Sequence, residues 1–194
     1  QTFYKTYWKP NIATLVIVGD ISVDHARQLA ETHFGSWKGK FKSEVTYPAP
    51  SKQANTRIVL VNRDASVQSS ITVTNTMNLA VGHPDAEAMA VMNQVLGAGS
   101  AGRLFQNLRE DKAYTYGAYS SYGTGKYTTS FSAEAEVRNA VTDSAVAEFL
   151  FELNRIRTEP ITADDLRAAK NNLSGSFGRS LENPATVARF ATNI

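Results

Sequence analysis

No cysteine occurs in this chain of 194 residues, which excludes disulfide bonds, thiol nucleophiles and cysteine-ligated metals. Histidine is also scarce, because the sequence contains only His25, His33 and His83. A helix that holds zinc usually places two histidines four positions apart. His25 and His33 are eight positions apart, which corresponds to about 12 Å along a helix at ~1.5 Å per residue. The sequence therefore predicts no zinc site within this chain.

Charge of one sign and long hydrophobic runs are also missing. The net charge is +2, and no run of lysine or arginine forms the basic patch that nucleic-acid binding requires. The longest apolar run, Ile12–Val18, is too short to span a bilayer. The chain starts at Gln1 and stops at Ile194 inside a helical pattern, so we expect it to be a piece of a longer protein. These observations do not decide the cellular compartment of the protein.

What the sequence does contain is a series of periodic segments. Alternating or β-branched patterns predict strands, and apolar residues at helical spacing predict helices between them. The predicted strands are Ala13–Val18, Arg57–Asn62, Val67–Thr74, Tyr114–Tyr122 and Tyr127–Val137. The predicted helices begin after Ser22, at Pro84, at Arg103, near Asn139 and after Thr162, and a long extended connector covers Gly39 to Asn55. This order predicts an α+β fold with a mostly antiparallel sheet and helices packed on one face.

A glycine-rich segment between two predicted helices, Gly97–Gly102, matches the dinucleotide-binding pattern G-x-G-x-x-G. That pattern binds phosphate only where a strand precedes the glycines and a long helix follows them. Because a helix precedes them here, the segment is interpreted as a flexible helix–helix connection. A nucleotide-binding module is the minor alternative. Ser100 has no histidine or lysine at a spacing typical of a serine nucleophile.

The candidate functional side chains lie at the corner between the helix that starts at Arg103 and the next strand. Arg109 lies near the end of that helix, and Tyr116 follows seven residues later, inside the strand. A guanidinium and a phenol, both strong hydrogen-bond donors, thus come to one helix-to-strand corner. On spacing alone, the favoured interpretation is an exposed helix arginine and one of several strand aromatics, because any helix-to-strand corner could contain such a pair.

Two segments of the chain resemble a known family. The run GRLFQNLRE from Gly102, continued by YTYG from Tyr114, resembles the signature of the non-zinc half of pitrilysin/insulinase-type zinc metallopeptidases. The opening segment FYKTYWKPNIATLVIVGDI is similar to the start of that domain. The chain departs from the family pattern at Ala98 and Ala113, where glycine is usual, and at Gly102, where serine is common.

The resemblance implies a single domain over residues 1–194, of the type found in mitochondrial processing peptidases. It implies that Arg109 and Tyr116 are catalytic, holding the substrate backbone and stabilising the oxyanion. Tyr114, Gly117 and Ala118 are the implied substrate-binding residues, because an extended peptide could add to their strand. Zinc is expected in a partner domain or subunit that carries H-x-x-E-H. This motif is absent here, so the isolated chain is predicted to be inactive.

The function predicted is therefore that of a substrate-contacting, non-zinc domain of a zinc-dependent endopeptidase. The alternative is a non-catalytic binding or assembly domain that retains the peptidase fold. Expected partners are the zinc-bearing homologous domain and an extended peptide, with no nucleic acid and no membrane span. Family habit alone suggests a bacterial parent protein, in the periplasm or the cytoplasm.

Overall fold

A computed structural model describes residues 1–42, 54–80, 82–125 and 128–192. The chain divides into two compact units, one made of Gln1–Thr46 with Gly175–Ile194 and the other of Tyr47–Ser174. The second unit contains the β-sheet and all of the predicted site residues.

The helices and strands follow one another in a mixed order. The helices are α1 (Thr2–Tyr7), α2 (Val23–Phe34), α3 (Ala86–Leu96), α4 (Arg103–Phe105), α5 (Thr142–Thr158), α6 (Ala163–Ser180) and α7 (Pro184–Thr192). The strands are β1 (Gln68–Met77), β2 (Thr115–Tyr122) and β3 (Thr129–Arg138). A π-helix, Gln106–Asp111, continues α4, and short 3₁₀ turns cover Pro10–Ile12 and Asn139–Val141.

In the first unit, α2 begins where the sequence predicts it. The Ser22 side chain accepts a hydrogen bond from the backbone N–H of His25, so it caps one of the unpaired donors at the helix start. Aromatic rings also contact one another in this unit, including Trp8 and Trp37, whose ring centroids lie 6.3 Å apart.

The described part of the second unit contains one antiparallel sheet in which β3 lies between β1 and β2. Ala135 of β3 faces Ile71 on one side and Ala118 on the other. All three side chains are buried and belong to the core, whereas the residues next to Ile71 and Ala135 on their strands are exposed. The α+β fold with a mostly antiparallel sheet is therefore confirmed.

Helix α5 supplies much of the core that covers the inner face of the sheet. Ala145 and Phe149 lie one turn apart, and both are completely buried. They pack with Leu96, Leu104 and Leu108 from the segments that precede β2. Burying a side chain such as Phe149 contributes about 1.5–3 kcal/mol to folding. This packing fixes the helical segment that carries Arg109 against the sheet.

Two predicted strands are wrong. Ala13–Val18 and Arg57–Asn62 form no strand, and their apolar side chains are largely exposed, as Leu60 shows with 91% of its surface accessible. A β-branched composition gives a segment the propensity for extended structure but not a neighbour to which it can hydrogen-bond. In the described residues, neither segment pairs with another strand.

Several boundaries also differ from the predictions. Helix α3 begins at Ala86 rather than at Pro84, which lies in the preceding turn. The final helical pattern is split, because α6 ends at Ser180 and Asn183 caps α7 by accepting a hydrogen bond from the N–H of Ala185. Most of the connector predicted from Gly39 to Asn55, and the turn residues 126–127, lie outside the described residues. No described helix is both long and apolar enough to cross a membrane.

Candidate functional site

The helical segment predicted to begin at Arg103 is present, but it changes type after its first turn. It starts as α-helix and continues as π-helix from Gln106, and the N–H of Lys112 reaches back to the carbonyl of Asn107 over 3.0 Å. π-Helical turns are rare and frequently occur at functional sites. Arg109 lies in this π-helical turn.

Ala113 forms the corner between the π-helix and β2. Its φ angle is +53°, in the left-handed region that residues other than glycine rarely adopt. The N–H groups of Ala113 and Tyr114 donate to the carbonyls of Arg109 and Leu108, over 3.1 Å and 2.9 Å. This closure resembles the left-handed ends of many helices. The left-handed conformation of this residue explains why the family pattern has glycine at the position of Ala113.

A β-bulge follows at once in β2. Thr115 pairs with Val137 and Ala118 pairs with Ala135, so Tyr116 and Gly117 together face the single residue between these two on β3. In a regular strand, Tyr116 would share the buried face of Ala118, two positions later. The bulge changes this alternation, and Tyr116 is 88% exposed. Bulges are frequent beside active sites, where they redirect a side chain.

The Thr115 hydroxyl group stabilises the bulge. It accepts a hydrogen bond from the N–H of Gly117 over 3.1 Å and lies 2.6 Å from the carbonyl oxygen of Glu136, to which it can donate. A side chain thus supplies partners that the irregular ladder would otherwise leave unpaired.

Arg109 is held against an aromatic pair. Its guanidinium carbon lies 4.9 Å from the ring centroid of Phe105, and that ring lies 5.7 Å from the ring of Tyr119. Arg109 also forms an ion pair with Glu110, but this pair is exposed and contributes little to stability. With 42% of its side chain exposed, Arg109 remains accessible to a ligand.

Arg109 and Tyr116 line the same open depression, which we call the arginine depression. Its volume is about 450 Å³, and its other lining residues are Gln68, Ala113, Tyr114, Thr115 and Arg138. The structure therefore brings the two predicted catalytic side chains to one surface. The predicted substrate-binding residue Tyr114 lies there too.

A second open depression adjoins the first on the outer face of the sheet, and we call it the glutamate depression. It has a volume of about 500 Å³ and is lined by Gln68, Ser70, Thr115, Tyr116, Gly117, Tyr119, Glu134, Ala135 and Glu136. Gly117 thus borders this depression rather than the first. Ala118, the third residue predicted to bind substrate, is completely buried in the core and lines neither depression.

A buried polar cluster under the π-helix was not predicted from the sequence. The side-chain amide of Asn107 donates to Glu148 over 3.0 Å and to Glu152 over 2.9 Å. Glu152 is only 3% exposed, and Arg155 lies 3.7 Å from its other carboxylate oxygen. A hydrogen bond to Glu159 is the main cause that raises the pKa of Arg155. The cluster fastens α5 to the turn that carries Arg109.

The glycine-rich segment is a packed connection and not a phosphate loop. Helix α3 ends directly before Gly97, so the strand that a dinucleotide-binding pattern requires is not there. A Cβ atom at Gly97 would lie 2.7 Å from the backbone nitrogen of Ser120, and one at Gly102 would lie 2.7 Å from the Cα of Gly97. These close approaches correct the interpretation of this connection as flexible.

Histidines and other metal ligands do not converge in the part of the chain that the structure describes. No group of three or more histidine, aspartate or glutamate side chains there could hold a metal ion. His33 is exposed in α2. The side chain of His83 accepts a hydrogen bond from the N–H of Asp85 in the turn before α3. Burial raises the pKa of Tyr122, at the far end of β2 from this site.

The fold and the site together define an α+β domain that presents an arginine and a tyrosine from a helix-to-strand corner. Residues 1–173 match the family model described as the peptidase M16 inactive domain, and the chain belongs to this family. The resemblance to the pitrilysin/insulinase-type zinc metallopeptidases is thereby confirmed.

Similar proteins carry names of the same kind. The uncharacterized zinc protease YmxG of Bacillus subtilis is 27% identical over 94% of this chain and 43% of its own length. The zinc protease PqqE of Helicobacter pylori is 24% identical over 97% of this chain and 43% of its own. The chain thus spans less than half the length of these relatives.

Solved structures share the fold. The crystal structure of a protease from Helicobacter pylori superposes with a TM-score of 0.82 at 24% identity, over 96% of this chain and 46% of that one. A peptidase M16 inactive domain from Pseudomonas fluorescens gives a TM-score of 0.68 at 24% identity, over 81% of this chain and 38% of that one.

Proposed function

We propose that this chain is the substrate-contacting, non-zinc domain of a zinc-dependent endopeptidase. A domain with the H-x-x-E-H motif, in the same longer protein or on a partner subunit, would complete the peptidase. The observation that carries this proposal is that Arg109 and Tyr116 line one open depression, each with an accessible donor group. Membership of the M16 family and the zinc-protease names of the relatives support it.

The chemistry proposed for the pair is hydrogen bonding to the peptide carbonyl that is being cleaved. The guanidinium of Arg109 and the phenol of Tyr116 both donate, so both stabilise negative charge as it develops on that oxygen. The ring of Phe105 beneath Arg109 and the bulge at Tyr116 keep these donors in position before substrate arrives. The described residues offer no ligand set for zinc, so we assign the metal to the other domain.

The peptide is proposed to lie across the start of β2. Further along the strand, the N–H of Ser120 already donates to the carbonyl of Gly97 over 2.9 Å, so this end of β2 is occupied. An extended substrate would therefore contact the segment from Tyr114 to Gly117, where the two depressions meet.

The test is reconstitution. The chain is mixed with its H-x-x-E-H partner and zinc, and cleavage of an internally quenched peptide is measured. We expect cleavage by the mixture and a fall of roughly 10²–10³-fold for Arg109→Ala and for Tyr116→Phe, because each removes one donor to the oxyanion. Arg157→Ala, an exposed position of α5, and Tyr122→Phe, at the other end of β2, are the matched controls and should cleave normally.

Two outcomes would contradict the proposal. If Arg109→Ala and Tyr116→Phe both cleave at the rate of the unmodified chain, the pair has no catalytic role. If the unmodified mixture assembles with zinc bound but cleaves no peptide, the chain is a binding or assembly domain. Circular dichroism of each variant checks that the fold is retained.

A further inference from the structure

The two depressions at the site carry opposite charge. The arginine depression is lined by the guanidinium groups of Arg109 and Arg138, and none of its lining residues is acidic. The glutamate depression contains Glu134 and Glu136, and none of its lining residues is basic. They meet at Gln68, Thr115 and Tyr116, which line both. A peptide that passes Tyr116 therefore experiences a change of sign over a short distance.

Arg138 is the last residue of β3, and hydrogen bonds hold it against the helix-to-strand corner that precedes Tyr116. Its Nη2 atom donates to the carbonyl of Ala113 over 3.2 Å, and its backbone N–H donates to the carbonyl of Tyr114 over 3.3 Å. A guanidinium has five N–H donors in a planar fork, so the bond to Ala113 leaves several of them available. Arg138 is exposed and forms no ion pair with any carboxylate of the described residues.

A ligand that fits the remaining N–H donors of Arg138 is a carboxylate. Arginine pairs with a carboxylate through short, charge-assisted hydrogen bonds, often two in parallel. Arg109 already has Glu110 as a partner and is assigned to the carbonyl that is cleaved, so Arg138 is the arginine of this depression without a carboxylate partner among the described residues. In the other depression, Glu134 and Glu136 form no ion pair with a described cation and would repel the same ligand.

We infer that the arginine depression is a carboxylate subsite, and that Arg138 determines specificity by binding an acidic group of the peptide. This inference rests on the proposed function, because it names the class of peptide that the site selects. The carboxylate comes either from a glutamate or aspartate side chain or from the peptide C-terminus. Arg138 acts on the choice of peptide, whereas Arg109 and Tyr116 act on the bond that is cleaved.

Binding measurements test the choice of peptide separately from its cleavage. Fluorescence anisotropy measures the affinity of the 194-residue chain, alone and with its partner domain, for three labelled peptides of the same length. One carries an internal glutamate and an amidated C-terminus, one replaces that glutamate with glutamine, and one has the glutamine with a free C-terminus. We expect at least one carboxylate peptide to bind about tenfold more tightly than the neutral peptide. Which one does so identifies the source of the carboxylate.

Substitutions then test whether the preference for a carboxylate peptide depends on Arg138. Arg138→Gln should reduce the tenfold ratio to about one, and Arg138→Lys, which keeps a point charge, should retain part of it. The control Arg157→Gln should leave the ratio unchanged. Glu134→Gln combined with Glu136→Gln should raise carboxylate affinity, because it removes the repulsion. Raising the salt concentration from 0.05 to 0.5 M should shrink the ratio, since the depression is open to solvent.

The inference is overturned if all three peptides bind equally, or if Arg138→Gln keeps the preference of the unmodified chain. In that event, loss of cleavage in Arg109→Ala and Tyr116→Phe would leave the proposed function intact. Conversely, a carboxylate preference that depends on Arg138 in a mixture that cleaves no peptide would contradict the proposed function alone.

Discussion

The hydroxyl group of Thr115 accepts a hydrogen bond from the backbone N–H of Gly117 over 3.1 Å. Tyr116 lies between these two residues, and the bulge directs its side chain outward, into the proposed site. The exposure of the phenol thus depends on the Thr115 hydroxyl group, whose hydrogen bonds go to the backbone of β2 and β3.

Thr115→Val tests this dependence. Valine has nearly the same shape but no hydroxyl group, so the N–H of Gly117 loses its partner. We expect the free energy of unfolding to fall by about 1–2 kcal/mol, measured by urea denaturation. Peptide cleavage by the reconstituted mixture should fall as well, because Tyr116 is no longer held outward.

Thr72→Val provides the matched control, since Thr72 is an exposed threonine of β1 in the same sheet. Its replacement should change stability by less than about 0.5 kcal/mol and leave cleavage unchanged. Equal effects of Thr115→Val and Thr72→Val would show that the bulge does not depend on the Thr115 hydroxyl.

Ala113→Gly should stabilise the protein. The left-handed conformation costs a residue with a Cβ atom about 1–2 kcal/mol, and Ala113 adopts it at φ +53°. Glycine removes that strain but adds freedom to the unfolded chain, so we expect a net gain of up to about 1 kcal/mol. The midpoint of urea denaturation measures it.

The same exchange in an ordinary helix should have the opposite sign. Ala147→Gly, at an exposed position inside α5, should cost about 1 kcal/mol. If both substitutions destabilise by similar amounts, Ala113 is not strained in the folded protein, and the corner does not need the family's glycine.

Local signals explain which parts of the fold could be predicted. The Ser22 cap and the bond from the N–H of Asp165 to the Thr162 hydroxyl, 3.1 Å long, are made within one helical turn, so sequence spacing reveals them. Arg57–Asn62 has the composition of a strand, but strand formation depends on a distant partner that composition does not specify.

The residues of the site could be predicted from the sequence, but their arrangement in space could not. The resemblance pointed to Arg109 and Tyr116, but the alternation of β2 alone would have placed Tyr116 on the buried face. The bulge is a property of how two strands are aligned, and no single strand encodes it. The contact of Asn107 with Glu152 joins residues 45 positions apart, so sequence spacing could not reveal it.

Gly97→Ala should destabilise the chain through a close approach between α3 and β2. The new methyl group would lie 2.7 Å from the nitrogen and 2.8 Å from the Oγ of Ser120, so the strand must move away. Overpacking of this kind costs about 1–3 kcal/mol, which thermal and urea denaturation both measure. Gly99→Ala is the control, because nothing lies within 4 Å of the added atom. A similar loss in both variants would mean that backbone freedom, and not packing, is the reason for glycine at position 97.

Asn107 and Glu152 should be energetically coupled. Asn107→Leu leaves a carboxylate that is only 3% exposed without its hydrogen-bond donor, and Glu152→Met leaves one of the two amide N–H groups of Asn107 without an acceptor, while the other still donates to Glu148. Each single substitution should cost about 2–3 kcal/mol. The double substitution places two apolar side chains of similar size together, so its cost should fall short of the sum by more than about 1 kcal/mol. Urea denaturation of the four proteins gives the coupling energy, and Asn154→Ala, at an exposed position of α5, should change stability by less than about 0.5 kcal/mol.

Cleavage measured on the same four proteins tests whether this contact also positions the catalytic turn. Asn107 lies in the π-helix two residues before Arg109, so a loosened turn displaces the guanidinium from the arginine depression. We expect cleavage to fall in each single variant and to recover in part in the double variant, where the turn is packed again. A cleavage rate that stays constant while stability changes would assign the cluster to folding alone. Additive stability losses would show that the hydrogen bond between Asn107 and Glu152 does not couple α5 to the turn that carries Arg109.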